Sequence, residues 1–308
     1  MSSVTILIPT RNRPGPLARA LESLAALDVP ADLSVDVLVV DNAADGTAAD
    51  VVAAASLPFA ARCLREPRPG VSSARNAGVA AATGDIVAFV DDDCAADPGW
   101  LAAQVAALRT TGADGSFGPR VAEIDGTAPP GADFFLDTYS RDLGAPAGGD
   151  VSDQHAYLPL PGAAFVKARC LAGPAPFDPR LDNIGGEDVL LFRQLVEAGR
   201  RFVWAPDAKM VEFIPPARLD AGFILRRRYL SGQHRCIVPM MLEPPRRGEM
   251  LEHMAKGAVA AAAMAPVALA GRMGGTWPTR STGLLMSGLG KLSWWRTKGS
   301  SLYGSGHR

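Results

Sequence analysis

The chain has 308 residues, 48% hydrophobic and 20% charged, with 31 Lys/Arg against 32 Asp/Glu. This is ordinary globular composition, and a chain of this length buries a full core without disulfide or metal staples. A formal net charge of −1 offers no global basic field, so no nucleic-acid partner is expected.

Residues 4–8 form a short apolar, β-rich run that stops at Pro9-Thr10-Arg11-Asn12. Residues 16–27 carry Leu17, Leu21 and Leu24 at helical spacing, and residues 35–40 read as a second buried strand ending at Asp41-Asn42. An Ala/Val-rich helix over 47–55, a third strand over 60–64 and a helix over 72–82 follow. The fourth strand, 85–90, runs into Asp91-Asp92-Asp93. Alternating strands and helices predict an α/β fold with a mostly parallel sheet, whose ligands bind beyond the carboxyl ends of the strands. Three polar strand ends (Thr10 to Asn12, Asp41-Asn42 and Asp91 to Asp93) are therefore expected to converge on one crevice.

Between 112 and 162 the pattern loosens into Gly-, Pro- and Asp-rich sequence, with candidate strands at 116–121 and 163–166 and a long loop around 144–153. A helix over 187–198 is clear from Val189, Leu190, Phe192, Leu195 and Val196, and a strand over 201–205 follows. Beyond about residue 218 the chain turns helical and basic, then Ala-rich. Four scattered cysteines form no CxxC pair, and the histidines form no HxxxH pattern, so no zinc site is expected. Such cysteines read as reduced and cytosolic, and no secretion signal precedes residue 4.

Asp91, Asp92 and Asp93 repel one another unless a cation neutralises them. In an extended segment Asp91 and Asp93 point the same way, and such hard oxygen ligands suit Mg²⁺ or Mn²⁺, which keeps positions open for phosphate. The competing reading is a solvated acidic turn before the next helix, which Asp97-Pro98 would start. Position at the end of a buried strand favours the metal site. Asp41 fits a hydrogen bond from a base or a ribose hydroxyl, or a turn that holds its own backbone. Arg75 and Asn76 open a helix after a Pro/Gly turn and fit either orientation of a diphosphate or bracing of strand ends; Arg11 and Arg13 read the same way. Gly185-Gly186-Glu187-Asp188 begins an amphipathic helix. There the carboxylates either cap the helix or leave Asp188 as a general base, with the glycines admitting an acceptor close to the backbone.

The joint order of Ile8-Pro9-Thr10-Arg11-Asn12-Arg13, Val39-Val40-Asp41-Asn42, Ala74-Arg75-Asn76-Ala77-Gly78, Gly84 to Asp93 and Gly185-Gly186-Glu187-Asp188 resembles glycosyltransferase family 2, whose members have the GT-A fold. The resemblance covers about residues 4–235. It implies a nucleotide-sugar donor, often a UDP-sugar, and inversion at the anomeric carbon. Carried onto this chain, it implies Asp41 at the base or ribose, and Asp91 and Asp93 around the divalent ion on the donor diphosphate. Asp92 would assist at the ribose or sugar, Asp188 would be the catalytic base, and Pro9, Thr10, Arg11, Arg13, Arg75, Asn76, Gly186 and Glu187 would line the substrates. One departure stands out. Many relatives place a metal-binding His after the strand that follows the base helix, whereas this chain has Glu212, an acceptable oxygen ligand or a surface charge.

The resemblance divides the chain into a catalytic domain over 1–235, with a nucleotide-binding half (1–110) and an acceptor half (111–235), and a helical extension over 236–308. Residues 257–271 are uncharged and Ala-rich, shorter than the ~20 apolar residues that cross a bilayer. A packing helix, or one lying on the inner-membrane surface, fits better, with Lys256, Arg272 and Trp294-Trp295-Arg296 at the interface. A polysaccharide or lipid-linked oligosaccharide is the expected acceptor, and the expected location is cytoplasmic, peripheral on the inner face of the membrane. The competing classes are a sugar nucleotidyltransferase, which usually carries a Gly-rich basic loop after the first strand, and an inactive sugar-binding protein, which would have broken metal or base positions. The absence of GxGxxG and GxxxxGK disfavours dinucleotide and P-loop enzymes.

Overall fold

Apolar side chains on both faces of the first, second and fourth predicted strands require a helical layer on each side of a central sheet, and the chain builds one. A computed structural model describes residues 2–128, 132–182, 184–275 and 280–296. Two compact units form. The first comprises Met1–Glu123, Tyr139–Pro179 and Leu191–Ile214, and the second Ile124–Thr138, Arg180–Leu190 and Pro215–Arg308.

In the first unit, β1 (Ser3–Thr10), α1 (Pro14–Ala25), β2 (Ser34–Asp41), α2 (Ala48–Ala54), β3 (Ala60–Arg65), α3 (Val71–Ala81) and β4 (Ile86–Phe89) alternate as expected. They are followed by β5 (Cys94–Ala96), α4 (Trp100–Thr111), β6 (Gly115–Phe117) and β7 (Arg120–Ile124). Next in the chain come α5 (Ala132–Tyr139), which falls in the second unit up to Thr138, β8 (Ala164–Val166), α6 (Lys167–Cys170), α7 (Glu187–Glu197), whose start up to Leu190 falls in the second unit, β9 (Phe202–Trp204) and β10 (Met210–Ile214). The main sheet has the order β3-β2-β1-β4-β8-β6-β9. Its pairs are parallel except at β8, which runs antiparallel to β4 and β6.

The period of two sorts the side chains. Val4, Ile6, Ile8, Val37, Val39, Ile86 and Ala88 pack against Leu17, Leu21, Leu24, Trp100, Leu101 and Leu108. Leu7, Leu38, Val40, Val87 and Phe89 meet Ala74 and Val79 on the other face. There Phe117 stands edge-on to Phe165, Phe192 and Phe202, with centroids 5.2 to 5.4 Å apart. The irregular region contains α5, which the loosened pattern does not announce. The expected loop at 144–153 has only an isolated bridge, Asp150 to Val203, before a 3₁₀ turn at Ser152–Tyr157.

Two details fix the end of β4. Its last residues are held from both sides: Val90 N–H donates to Leu7 O at 3.1 Å and Phe89 N–H to Ala163 O at 2.9 Å. At its entry, Gly84 N–H donates to the buried Thr5 Oγ1 at 2.9 Å. A Cβ on Gly84 would stand 2.5 Å from Thr5 N and 2.8 Å from Ile86 O, both backbone atoms. Gly84→Ala therefore must shift β4 against β1. We expect a loss of about 1–3 kcal/mol of stability from overpacking, read as a lower melting temperature.

In the second unit, α8 (Ala221–Met241), α9 (Arg247–Met273) and α10 (Arg280–Leu292) follow one another. Asp220 caps α8 by accepting from Phe223 N at 3.1 Å. Leu181, Leu190, Ile237, Val238 and Leu242 form its buried cluster. The uncharged run 257–271 turns out to be part of a helix of 27 residues. An exposed Glu252–Lys256 pair at i,i+4 supports the helix N-terminal to that run, and Pro266 lies inside it without ending it. By length and composition α9 is long and apolar enough to cross a membrane: its most apolar 18-residue window has mean hydropathy 1.4 and is 11% buried. The expectation of too short a segment is corrected to that extent.

Candidate active site

The acidic run at the end of β4 is a turn. Cys94 N–H donates to Asp91 O at 3.0 Å, closing Asp91 to Cys94 before β5 begins. The extended geometry expected for Asp91 and Asp93 is thus replaced, because β5 must double back to pair antiparallel with β10. The turn directs Asp91 to Arg75, and Asp92 and Asp93 to Arg13.

Asp92 is buried and ties two strand ends together. Thr10 Oγ1 at the end of β1 donates to its Oδ2 at 2.8 Å, and Arg13, just before α1, contacts its Oδ1. Arg13 also reaches Asp93 Oδ2 at 3.2 Å. Arg75 of α3, itself buried, lies 3.3 Å from Asp91 Oδ1 and over the Phe177 ring at 5.6 Å. Asp91 keeps the most open side chain of the three, 31% exposed against 7% for Asp92 and Asp93. Desolvation raises its carboxyl above the ordinary value; Arg75 opposes this, and Asp93 and Glu212 add to it. Desolvation likewise pushes Asp92 up to about 7, against Arg13 and with the help of Asp93. These shifts mean that Arg13 and Arg75 do not fully offset the burial of the carboxylates and the like charge beside them.

The second strand end is tightly bonded. Asp41 accepts from Ala43 N at 2.9 Å and from Ala48 N at 3.0 Å, so it holds its own turn and the start of α2. Asn42 donates to Glu66 O and Arg68 O and accepts from Gly70 N at 2.9 Å, which fixes the loop before α3. Asn76 exchanges both amide bonds with the Phe177 backbone, at 2.8 and 2.9 Å, and so braces that segment. Pro9 pairs with Val40 in the β1–β2 register, and Arg11 is exposed beside Asn12, whose φ is 54°.

Glu212 lies opposite Cys94 in the β10–β5 register, and Phe213 N–H donates to Asp93 O at 2.8 Å. Its buried carboxylate stands 3.2 Å from Arg120 Nε. Among the described residues no three Asp, Glu, His or Cys side chains are gathered so as to hold a metal ion by themselves. The donor set does fit an ion that binds through one or two carboxylates and takes its remaining oxygens from water and phosphate, as Mg²⁺ does. Asp91 and Asp93 would supply those two, and a cation would offset the burial and like charge that raise the Asp91 carboxyl.

The Gly185-Gly186-Glu187-Asp188 segment lies at the start of α7. Gly185 and Gly186 have φ of 77° and 91°, which favour glycine. His234 of α8 fills the space beneath them: a Cβ on Gly186 would stand 3.1 Å from its ring, and its Nε2 lies 2.5 Å from Ile184 O. Asp188 Oδ1 accepts from Val189 N at 2.7 Å at the first turn of α7, and Glu187 is buried. Sequence reading places His234 in a basic helical stretch but misses its seat under Gly185-Gly186, and it misses Arg120 and the pairings of Arg13 and Arg75. Each joins residues far apart in the chain, and no local spacing signals them.

The family described as Glycosyl transferase family 2 matches residues 5–144. The succinoglycan biosynthesis protein ExoM of Rhizobium meliloti is 32% identical over 238 residues, covering 75% of this chain and 73% of that protein. The glycosyltransferase AglE of Haloferax volcanii is 25% identical over 242 residues, 77% of this chain and 74% of its own. Among solved structures, the mannosyltransferase PcManGT of Pyrobaculum calidifontis, in complex with GDP-Man and Mn²⁺, aligns with a TM-score of 0.58 at 21% identity, covering 94% of this chain and 87% of that one. S. aureus TarS 1-349 with UDP aligns at 0.55 and 17% identity, covering 81% and 69%. Those two likenesses show the fold. Together with the ordered strand-end motifs and the similarity to ExoM, they identify the chain as a GT-A-fold glycosyltransferase that belongs to glycosyltransferase family 2.

Proposed function

We propose that the protein transfers a sugar from a nucleotide donor, a UDP-sugar in the first instance, to a hydroxyl of a glycan or lipid-linked acceptor, with inversion at the anomeric carbon. The observation that carries this reading is the acidic turn at the end of β4, where incompletely compensated carboxylates sit among Thr10, Arg13 and Arg75. Support for the donor class comes from the fold's likeness to proteins solved with UDP, with UDP-GlcNAc and with GDP-Man and Mn²⁺. A polysaccharide acceptor is suggested by the similarity to a succinoglycan biosynthesis protein.

Asp91 and Asp93 would hold Mn²⁺ or Mg²⁺, with Glu212 as a further oxygen ligand. Such an ion neutralises charge on a departing diphosphate. In the reaction, the acceptor oxygen forms a bond to the anomeric carbon while the bond from that carbon to the diphosphate oxygen breaks. Asp188 takes the acceptor's proton, and the nucleoside diphosphate leaves. Asp92, fixed by Thr10 and Arg13, orients the turn and borders the sugar or ribose, while Asp41 and Asn42 shape the base end. Pro9, Arg11 and Asn76 line the donor side, and Gly186 and Glu187 shape the acceptor side. On this reading 1–110 form the nucleotide half, 111–235 the acceptor half and 236–308 the helical extension. The reaction is placed in the cytoplasm, peripheral to the inner membrane face.

The test is incubation of purified protein with Mn²⁺ and a panel of UDP- and GDP-sugars. Metal-dependent slow hydrolysis, or saturable binding, of one donor supports the reading. Binding of NAD(P) with none of the nucleotide sugars would overturn it.

A further inference from the structure

The three C-terminal helices pack by backbone contact at glycines. A Cβ on Gly290 of α10 would stand 2.0 Å from Tyr229 O of α8, and one on Gly232 of α8 would stand 2.1 Å from Ser287 O. Between α9 and α10, a Cβ on Gly288 would lie 2.7 Å from Gly257 O, and one on Gly257 would lie 2.8 Å from Lys291 Cβ. The large apolar side chains point the other way. On α9, Val259 is 70% exposed, Leu269 61% and Met273 82%, and Leu284 of α10 is 54% exposed.

A helix bundle in water buries its large apolar residues and leaves the polar ones outside. Small residues at the helix contacts with Val, Leu and Met outside is the packing of helices whose surroundings are hydrocarbon. Charge supports the same assignment. Residues 247–296 carry six Lys/Arg against two Glu, and none of these charges falls between Lys256 and Arg272. Trp295, 57% exposed, stands near the basic end of α10 and suits the headgroup level. The uncharged 257–271 segment, at 1.5 Å per residue, is about 22 Å long, against about 30 Å for a hydrocarbon core. The whole of α9 is long and apolar enough to cross; the interfacial placement rests on the six Lys/Arg of 247–296, which suit the anionic face of a bilayer.

We propose that the outward faces of α9 and α10 dock on an anionic bilayer. They bury Val259, Val267, Leu269, Met273 and Leu284 at the headgroup–acyl boundary, while Lys256, Arg272 and Arg280 meet the lipid phosphates. This deepens the membrane placement proposed above and does not rest on the transfer chemistry.

The test is flotation of the full chain with vesicles of phosphatidylcholine alone and of phosphatidylcholine mixed with phosphatidylglycerol. The protein is expected to float with the mixed vesicles and to bind them more weakly as salt rises. The exposed double variant Val267→Glu/Leu269→Glu is expected to bind about tenfold or more weakly, with an unchanged melting temperature and unchanged donor binding. Failure to float with the anionic vesicles, or equal flotation of the double variant, would overturn the proposal. So would a concentration-dependent dimer broken by the same two substitutions, because a second copy would then cover this face. Membranes of expressing cells are expected to release the protein at alkaline pH, and retention there would show that α9 crosses. Donor binding is measured in the same samples, so failure of docking and failure of the transfer reading are told apart.

Discussion

Asp188→Asn is expected to lower transfer by on the order of a hundred- to ten-thousand-fold, the usual contribution of a general base, while donor binding stays as it is. The substitution is close to isosteric, and the new side-chain oxygen can still accept from Val189 N, as Asp188 Oδ1 does at 2.7 Å. The start of α7 should therefore persist, and so should the Gly185-Gly186 turn seated on His234. The loss would then be chemical: the acceptor hydroxyl would meet a group unable to take its proton. Steady-state rates with a saturating donor, beside a donor titration, make the comparison. A variant that transfers at the wild-type rate would remove Asp188 from the base role, and one that no longer binds donor would point to a structural role.

The second large effect belongs to the double variant Asp91→Asn/Asp93→Asn. Desolvation and the neighbouring carboxylates hold Asp91 above its ordinary pKa, so the folded protein disfavours its charged form. An acid with a raised folded pKa withdraws stability as pH climbs from its unfolded toward its folded value, so at neutral pH the charge is a cost. Neutral amides remove that cost but also the Asp91–Arg75 and Asp93–Arg13 ion pairs, and with the two effects opposed the variant without ligand is expected to melt close to the wild type. Its response to ligand should differ sharply. At Mn²⁺ and donor concentrations a hundredfold above Kd, the wild type should gain about 2.7 kcal/mol from linkage, and the double variant none. Thermal unfolding with and without Mn²⁺ and donor reads both effects. A variant that melts well below the wild type and gains equally from ligand would contradict this assignment.

The two effects separate what the sequence makes legible from what it hides. β1, β2 and β4 are legible because their apolar residues serve two core layers and leave no other pattern to fit. The polar residues that stop those strands, Thr10, Asp41 and Asp91, mark the strand ends for the same reason. Less legible is β5: three residues, Cys94–Ala96, earn strand geometry only by pairing with β10 more than a hundred positions away, and that pairing bends the acidic run into a turn. The arginines that hold the carboxylates are individually ambiguous in sequence. Arg13 and Arg75 fit bracing or phosphate contact equally, and only the fold shows both on the acidic turn. Arg120 gives no local sign that it meets Glu212. Helix α9 hides its length because its N-terminal part is charged and only its C-terminal part is apolar, so the hydrophobic run understates the helix.

The fold places Thr10, Arg13, Arg75 and the three aspartates together. The account stands on that cluster gripping a donor diphosphate through a divalent ion. Calorimetric titration of the preferred nucleotide sugar tests it most directly, with the protein loaded with Mn²⁺, then stripped with chelator, then reloaded. Saturable binding in the first and third states and none in the second is the expected result. Equally tight binding by the stripped protein would contradict the account.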